Sequence, residues 1–132
     1  MSFDIWFQRF KDGEPAPFPH EVMDQLFKLH TVHASGTFIR VRFPDGSGAD
    51  IAGIHRNPLT SLTFSHCGGE QFANAFFELL KRTEAVIYWP DGGCVVADPA
   101  VISRLPAFLT AQFGTPTVVH SGRQIFDRIA HT

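Results

Sequence analysis

A chain of 132 residues, 44% apolar and 18% charged, has the length of one domain and too much apolar content for disorder. Its formal net charge is −2 and it holds no basic run of five residues, which argues against the basic face that nucleic-acid binding requires. The opening Met1-Ser2-Phe3-Asp4 lacks a basic n-region, and the longest strictly apolar stretch, Ala85 to Trp89, is far too short to span a bilayer. A cytoplasmic protein is expected, with no membrane contact and with its two cysteines, Cys67 and Cys94, reduced. The 14 phenylalanines against one tyrosine favour a thick core, or a core plus an apolar contact patch.

In chain order, Phe3, Ile5 and Phe7 alternate with polar or amphipathic residues and predict a strand to about Phe10. Lys11 to Pro19 reads as a turn-rich loop. Val22, Met23, Leu26 and Phe27 recur at helical spacing, so a helix is expected from about Pro19 to Leu29. Ile39, Val41 and Phe43 alternate with Arg40 and Arg42. Turn signals at Pro44-Asp45-Gly46 and Asn57-Pro58 then predict a three-stranded meander with one wet face. In its last strand Leu62, Phe64 and His66 are expected to share a face.

Phe72, Ala73, Phe76, Leu79 and Leu80 mark an amphipathic helix ending near Thr83. Ala85 to Trp89 is apolar on both faces, as a covered central strand is, and Cys94 to Ala97 reads as another. Asp98-Pro99 starts a helical region running to Phe113, broken or kinked at Pro106 and stopped by Gly114. Thr117 to Val119 is a short strand. Ser121 and Gln124 form a capping box for a last helix with Ile125, Phe126 and Ile129 on its apolar face. The sum is an α+β fold: one domain, residues 1–132, with a mixed, mainly antiparallel sheet and about four helices packed on it.

The chemistry-bearing residues are few. His66 and Cys67 sit where a strand gives way to a helix, and a thiol near a helix start can be a low-pKa nucleophile. A cysteine there is more often a small core residue. No spacing of histidines and cysteines predicts a metal site, and no cofactor motif occurs. Ser121 is explained by capping, and His120 beside it reads as a strand-end residue rather than a base. Trp89, beside the Pro90-Asp91-Gly92-Gly93 turn, is either an interface anchor or a residue closing the core, with the core favoured by its apolar strand.

The stretches Phe3-Asp4-Ile5-Trp6-Phe7-Gln8-Arg9-Phe10-Lys11-Asp12-Gly13-Glu14-Pro15 and Tyr88-Trp89-Pro90-Asp91-Gly92-Gly93-Cys94-Val95-Val96-Ala97-Asp98-Pro99 carry a resemblance, as does the ending Thr117-Val118-Val119-His120-Ser121-Gly122. They resemble small bacterial proteins of the immunity-protein type from polymorphic toxin systems. The resemblance implies a protein that neutralises a cognate toxin by binding it; it transfers no binding residue. Three functions follow. The first is a non-catalytic protein-binding protein, with Asp12, Glu14, Asp45, Asp50, Trp89 and Asp91 facing a partner. The second is a small thiol-dependent enzyme or ligand binder using Cys67 and His66. The third is a structural subunit, a homodimer for instance, with excess phenylalanine at its contact.

Overall fold

The computed structural model describes residues 4–90 and 92–131. Its centre is an eight-stranded sheet. Strand β1 (Ile5–Gln8) lies inside the sheet, because Ile5 and Phe7 point to one face while Trp6 and Gln8 point to the other. The chain then leaves the sheet in a small hairpin, β2 (Phe10–Lys11) and β3 (Glu14–Pro15). Asp12 and Gly13, at φ of 52° and 78°, form its two-residue turn. An Asp-Gly pair suits two consecutive left-handed residues, so the first part of the expected turn-rich loop is a hairpin.

Helix α1 (His20–Phe27) follows Pro19, and a single 3-10 turn, Lys28–His30, ends it. Strand β4 (Thr31–Ala34) then forms an edge that the sequence pattern does not announce. Three of its four residues are exposed, so it shows no apolar alternation and is defined by pairing with β5 alone. Strands β5 (Phe38–Arg42), β6 (Gly48–Ala52) and β7 (Ser61–Gly68) are the expected antiparallel meander. Helix α2 (Glu70–Thr83) and strands β8 (Val86–Tyr88) and β9 (Cys94–Val96) follow.

Asp98 caps the next segment by accepting from the Ala100 amide. Pro106 divides that segment into a 3-10 stretch, Pro99–Arg104, and α3 (Ala107–Phe113). A short β10 (Thr117–Val118) pairs parallel to β9, and α4 (Gly122–Ala130) closes the chain. Ser121 Oγ accepts from the Gln124 amide as expected, while Gln124 Oε1 reaches the amide of His120, one residue before the cap. The strand order is β10-β9-β8-β1-β7-β6-β5-β4, all antiparallel except β10-β9.

The two faces of this sheet differ. On one, Ile5, Phe7, Val41, Ile51, Leu62 and Phe64 pack under α1, α2 and α4, in a core rich in phenylalanine. On the other, the 3-10 stretch and α3 cover only the end made by β8 and β9, where Val86, Cys94 and Val96 meet Val101 and Leu109. The meander's share of that face is left uncovered and polar. Eight of the phenylalanines are buried, and Phe108 is the exposed one among the described residues. The aromatic excess therefore belongs to the core.

The β5–β6 turn also holds the start of α2. Ser47 Oγ accepts from the buried Phe72 amide at 2.9 Å, and Asp45 Oδ2 accepts from the Gln71 amide at 3.0 Å. Gln71 returns the bond, its Oε1 accepting from the Asp45 amide. Gly69, at φ 95°, lets the chain pass against Ser47, where a Cβ would come within 1.9 Å of the Ser47 Cβ. These long-range caps serve the Gln71 and Phe72 amides of α2, whose N-cap, Gly69, has no side chain to do so. Ser47→Ala is expected to cost about 1–3 kcal/mol, the penalty for a buried amide left without an acceptor. Urea unfolding would measure it.

Candidate functional site

The uncovered face presents two rows of side chains. Phe38, Ala52, Thr63, Trp6 and Tyr88 lie in register across β5, β6, β7, β1 and β8. Beside them run Arg40, Asp50 and Ser65. Trp6 and Tyr88 pack with Phe113 of α3, with ring centroids 5.0 to 6.4 Å apart, so the covered end meets the open face in an aromatic border.

The polar row is tightly built. Arg40 donates twice to Asp50, Nε to Oδ1 at 2.8 Å and Nη2 to Oδ2 at 3.3 Å. Its guanidinium also stands over the Phe38 ring, 5.8 Å from the centroid. His66 Nδ1 lies 3.1 Å from the same Oδ2. Asp50 is thus the least exposed member, its side chain 14% accessible against 78% for His66. The Arg40 hydrogen bond holds the Asp50 carboxyl below the usual aspartate range, partial burial opposes this, and His66 adds to it. Arg40, Arg42, Ala49, Asp50 and His66 line a hollow of about 290 Å³. A second hollow of about 270 Å³, lined by Thr37, Phe38, Ala52 and Ser65, shares the Asp50 wall.

His66 reaches this face through a β-bulge. Asp50 pairs with Ser65 and Gly48 with Gly68, so His66 and Cys67 together oppose Ala49. His66 takes φ 52°, a left-handed conformation uncommon for a residue with a Cβ. The extra residue breaks the alternation: Ser65 and His66 both lie on the outer side, and Cys67 returns to the core. The expectation that His66 shares a face with Leu62 and Phe64 is corrected by this bulge. A one-residue offset reverses every side chain beyond it. His66→Gly is expected to raise the melting temperature by a few degrees, since glycine adopts this φ freely and a side-chain contact this exposed contributes little. Differential scanning calorimetry would read the shift.

Cys67 is 6% exposed, and burial pushes its thiol up to about 11. That is opposite to the lowered pKa a nucleophile needs, and the core position separates Cys67 from the side where His66 stands. Alkylation of Cys67 by iodoacetamide at pH 7 is therefore expected to be about a hundredfold slower in the folded than in the unfolded chain. Cys94 is also buried and also raised to about 11, and both cysteines are free thiols. Trp89 is 1% exposed and belongs to the core, which removes it as a surface anchor.

Asp45 is occupied in capping α2, and hydrogen bonds from Ser47 and from the Gln71 and Ser47 amides hold its carboxyl below the usual range. Asp50 is occupied by Arg40 and His66. Asp12 and Glu14 are exposed on the β2–β3 hairpin, and Asp91 lies outside the described residues. The structure thus brings Asp50 and His66 together and leaves the other predicted residues dispersed. In the sequence Arg40, Asp50 and His66 lie on three separate segments. The alternation of Arg40 and Arg42 was visible, but their meeting with His66 depends on a bulge that no local signal marks.

No protein-family model matches this chain, and comparison with curated proteins and with solved structures returned no match. A larger hollow of about 520 Å³ lies between α2 and α4, but Ser121, one of its polar linings, already caps α4. No group of three or more metal-ligating side chains converges among the described residues. No described helix is long and apolar enough to cross a membrane.

The lowered carboxyls of Asp45 and Asp50 set an acid limit on stability. Their folded pKa values lie below the unfolded value of about 3.9. Their stabilisation is therefore complete above that value and is lost as pH falls through the folded pKa values. The urea midpoint is expected to hold between pH 7 and 5 and to fall below about pH 4. Asp50→Asn is expected to flatten that fall.

Proposed function

We propose that this protein is a non-catalytic binding protein whose uncovered sheet face docks a protein partner. The observation that carries the reading is the asymmetry of the sheet. Helices cover one face except along the β4 edge, while the meander's outer face presents Phe38, hydroxyl and arginine side chains in a register-fixed array. Arginine and large aromatic residues are the types enriched in protein interfaces. A face built on strands holds them without the ordering cost of loops.

In its concrete form, the reading is an immunity protein that neutralises a cognate bacterial toxin, as the resemblance of the Phe3–Pro15 and Tyr88–Pro99 stretches implies. A cytoplasmic location accords with two free, buried thiols. The thiol-enzyme reading loses support from the burial of Cys67 and its raised pKa. The homodimer reading loses much of its motive, because eight phenylalanines are buried and Phe108 is the exposed one among the described residues.

Co-expression with the product of the adjacent reading frame tests the proposal. A stoichiometric complex that survives size exclusion, together with relief of that product's toxicity, is the expected result. An adjacent product that is neither bound nor neutralised would overturn the immunity reading.

A further inference from the structure

We propose that the hollow between β5, β6 and β7 is a carboxylate subsite that takes an aspartate or glutamate side chain from an extended segment of the partner, a proposal that rests on the docking-face reading above. Its charge is the first argument. Arg40 and Arg42 bring two positive charges against the single negative charge of Asp50, so the hollow matches a monoanion. Guanidinium groups pair with carboxylates through parallel, charge-assisted hydrogen bonds. A phosphate dianion is disfavoured, because the Asp50 carboxylate already forms part of the wall.

Pre-organisation is the second argument. Asp50 fixes Arg40 through Nε and Nη2, and the Phe38 ring lies under the guanidinium, so Nη1 stays outside the internal pair. Arg42 Nη1 donates to the Gly46 carbonyl at 3.3 Å. His66 is tied to Asp50 by Nδ1, which leaves Nε2 as the ring nitrogen outside that contact. An arginine fixed before binding loses little side-chain entropy when the ligand arrives. The bulge is the third argument: it turns His66 to this face at the expense of a left-handed backbone, and bulges recur where a side chain is re-aimed toward a site.

The neighbouring hollow extends the specificity. Its Phe38 and Ala52 give an apolar floor, and Thr37 and Ser65 give hydroxyls. Side chains two residues apart on an extended segment project to the same side, roughly 7 Å from one another. Because the two hollows share Asp50, the pair suits an acidic residue with an apolar residue two positions away on the same side of the segment.

The test titrates isotope-labelled protein with acetyl-Glu-Ala-Leu-amide and with acetyl-Gln-Ala-Leu-amide, following amide shifts by NMR. The glutamate peptide is expected to shift Arg40, Arg42, Asp50 and His66 and to bind roughly tenfold more tightly than the glutamine peptide. Arg42→Gln, which leaves the Arg40–Asp50 pair intact, is expected to abolish that difference. Equal shifts from both peptides, or shifts elsewhere, would overturn the proposal, as would inorganic phosphate acting more strongly than acetate at matched ionic strength. In the partner complex the two readings separate. Loss of affinity in both Thr63→Arg and Arg42→Gln supports both; loss in Thr63→Arg alone removes the carboxylate subsite and keeps the docking face; loss in neither removes both.

Discussion

Phe76→Ala is expected to lower the unfolding free energy by about 3–5 kcal/mol. Phe76 is fully buried, and its ring packs against Phe7 and Phe64 of the sheet, Phe72 one turn earlier on α2, and Phe126 of α4. It is the point at which the strand layer and two helices meet. Removing the ring loses its transfer free energy and leaves a cavity among other rigid rings, which have few rotamers with which to refill it. Against a total of about 5–15 kcal/mol for a domain, one such change removes a large share. Phe76→Leu, which retains most of the apolar volume, is expected to cost clearly less. Guanidinium unfolding of the two variants checks both the size and the order. Near-equal small losses would show that the aromatic cluster packs loosely.

Gly122→Val is expected to be the second most damaging single change, at about 3 kcal/mol, the upper part of the range for overpacking. Glycine at the first position of α4 is usually replaceable, and alanine would be favoured there by helix propensity. Here a Cβ would stand 2.1 Å from the Ala73 carbonyl oxygen and 2.3 Å from its carbon. Both are backbone atoms of α2, so no side chain can swing aside. The two helices must separate, which opens the contact between Phe76 and Phe126. The clash therefore outweighs the propensity gain, and Gly122→Ala is expected to destabilise as well. Thermal unfolding would show it; a neutral Gly122→Ala would mean that α4 shifts freely on α2.

Much of this architecture is legible in the residue pattern, and the exceptions have physical causes. Helix α2 is plain because five apolar residues repeat on one face of a chain otherwise rich in polar groups. Strand β8 is plain because both its faces are buried, one under α2 and α4 and the other under α3. Strand β4 escapes notice because an exposed edge needs no alternation. The caps of α2 escape because their acceptors, Asp45 and Ser47, are separated from it by more than twenty residues and meet it only in the fold.

The candidate site is the least legible part. Asp50 reads as a turn acid and His66 as a core-facing strand residue until the bulge at His66 and Cys67 changes the register. A single left-handed residue thus decides which side of the sheet carries the histidine and which carries the thiol. That choice separates a possible nucleophile from its base and joins the histidine to Arg40 and Asp50 instead.

The account stands on the claim that the uncovered sheet face, and no helical surface, is where this protein meets its partner. Calorimetric titration of the partner against Thr63→Arg, in the middle of that face, and against Arg123→Glu, exposed on α4, tests it most directly. The expected result is a loss of at least about tenfold in affinity for Thr63→Arg and none beyond about twofold for Arg123→Glu. The reverse pattern, with Arg123→Glu impaired and Thr63→Arg unchanged, would contradict it.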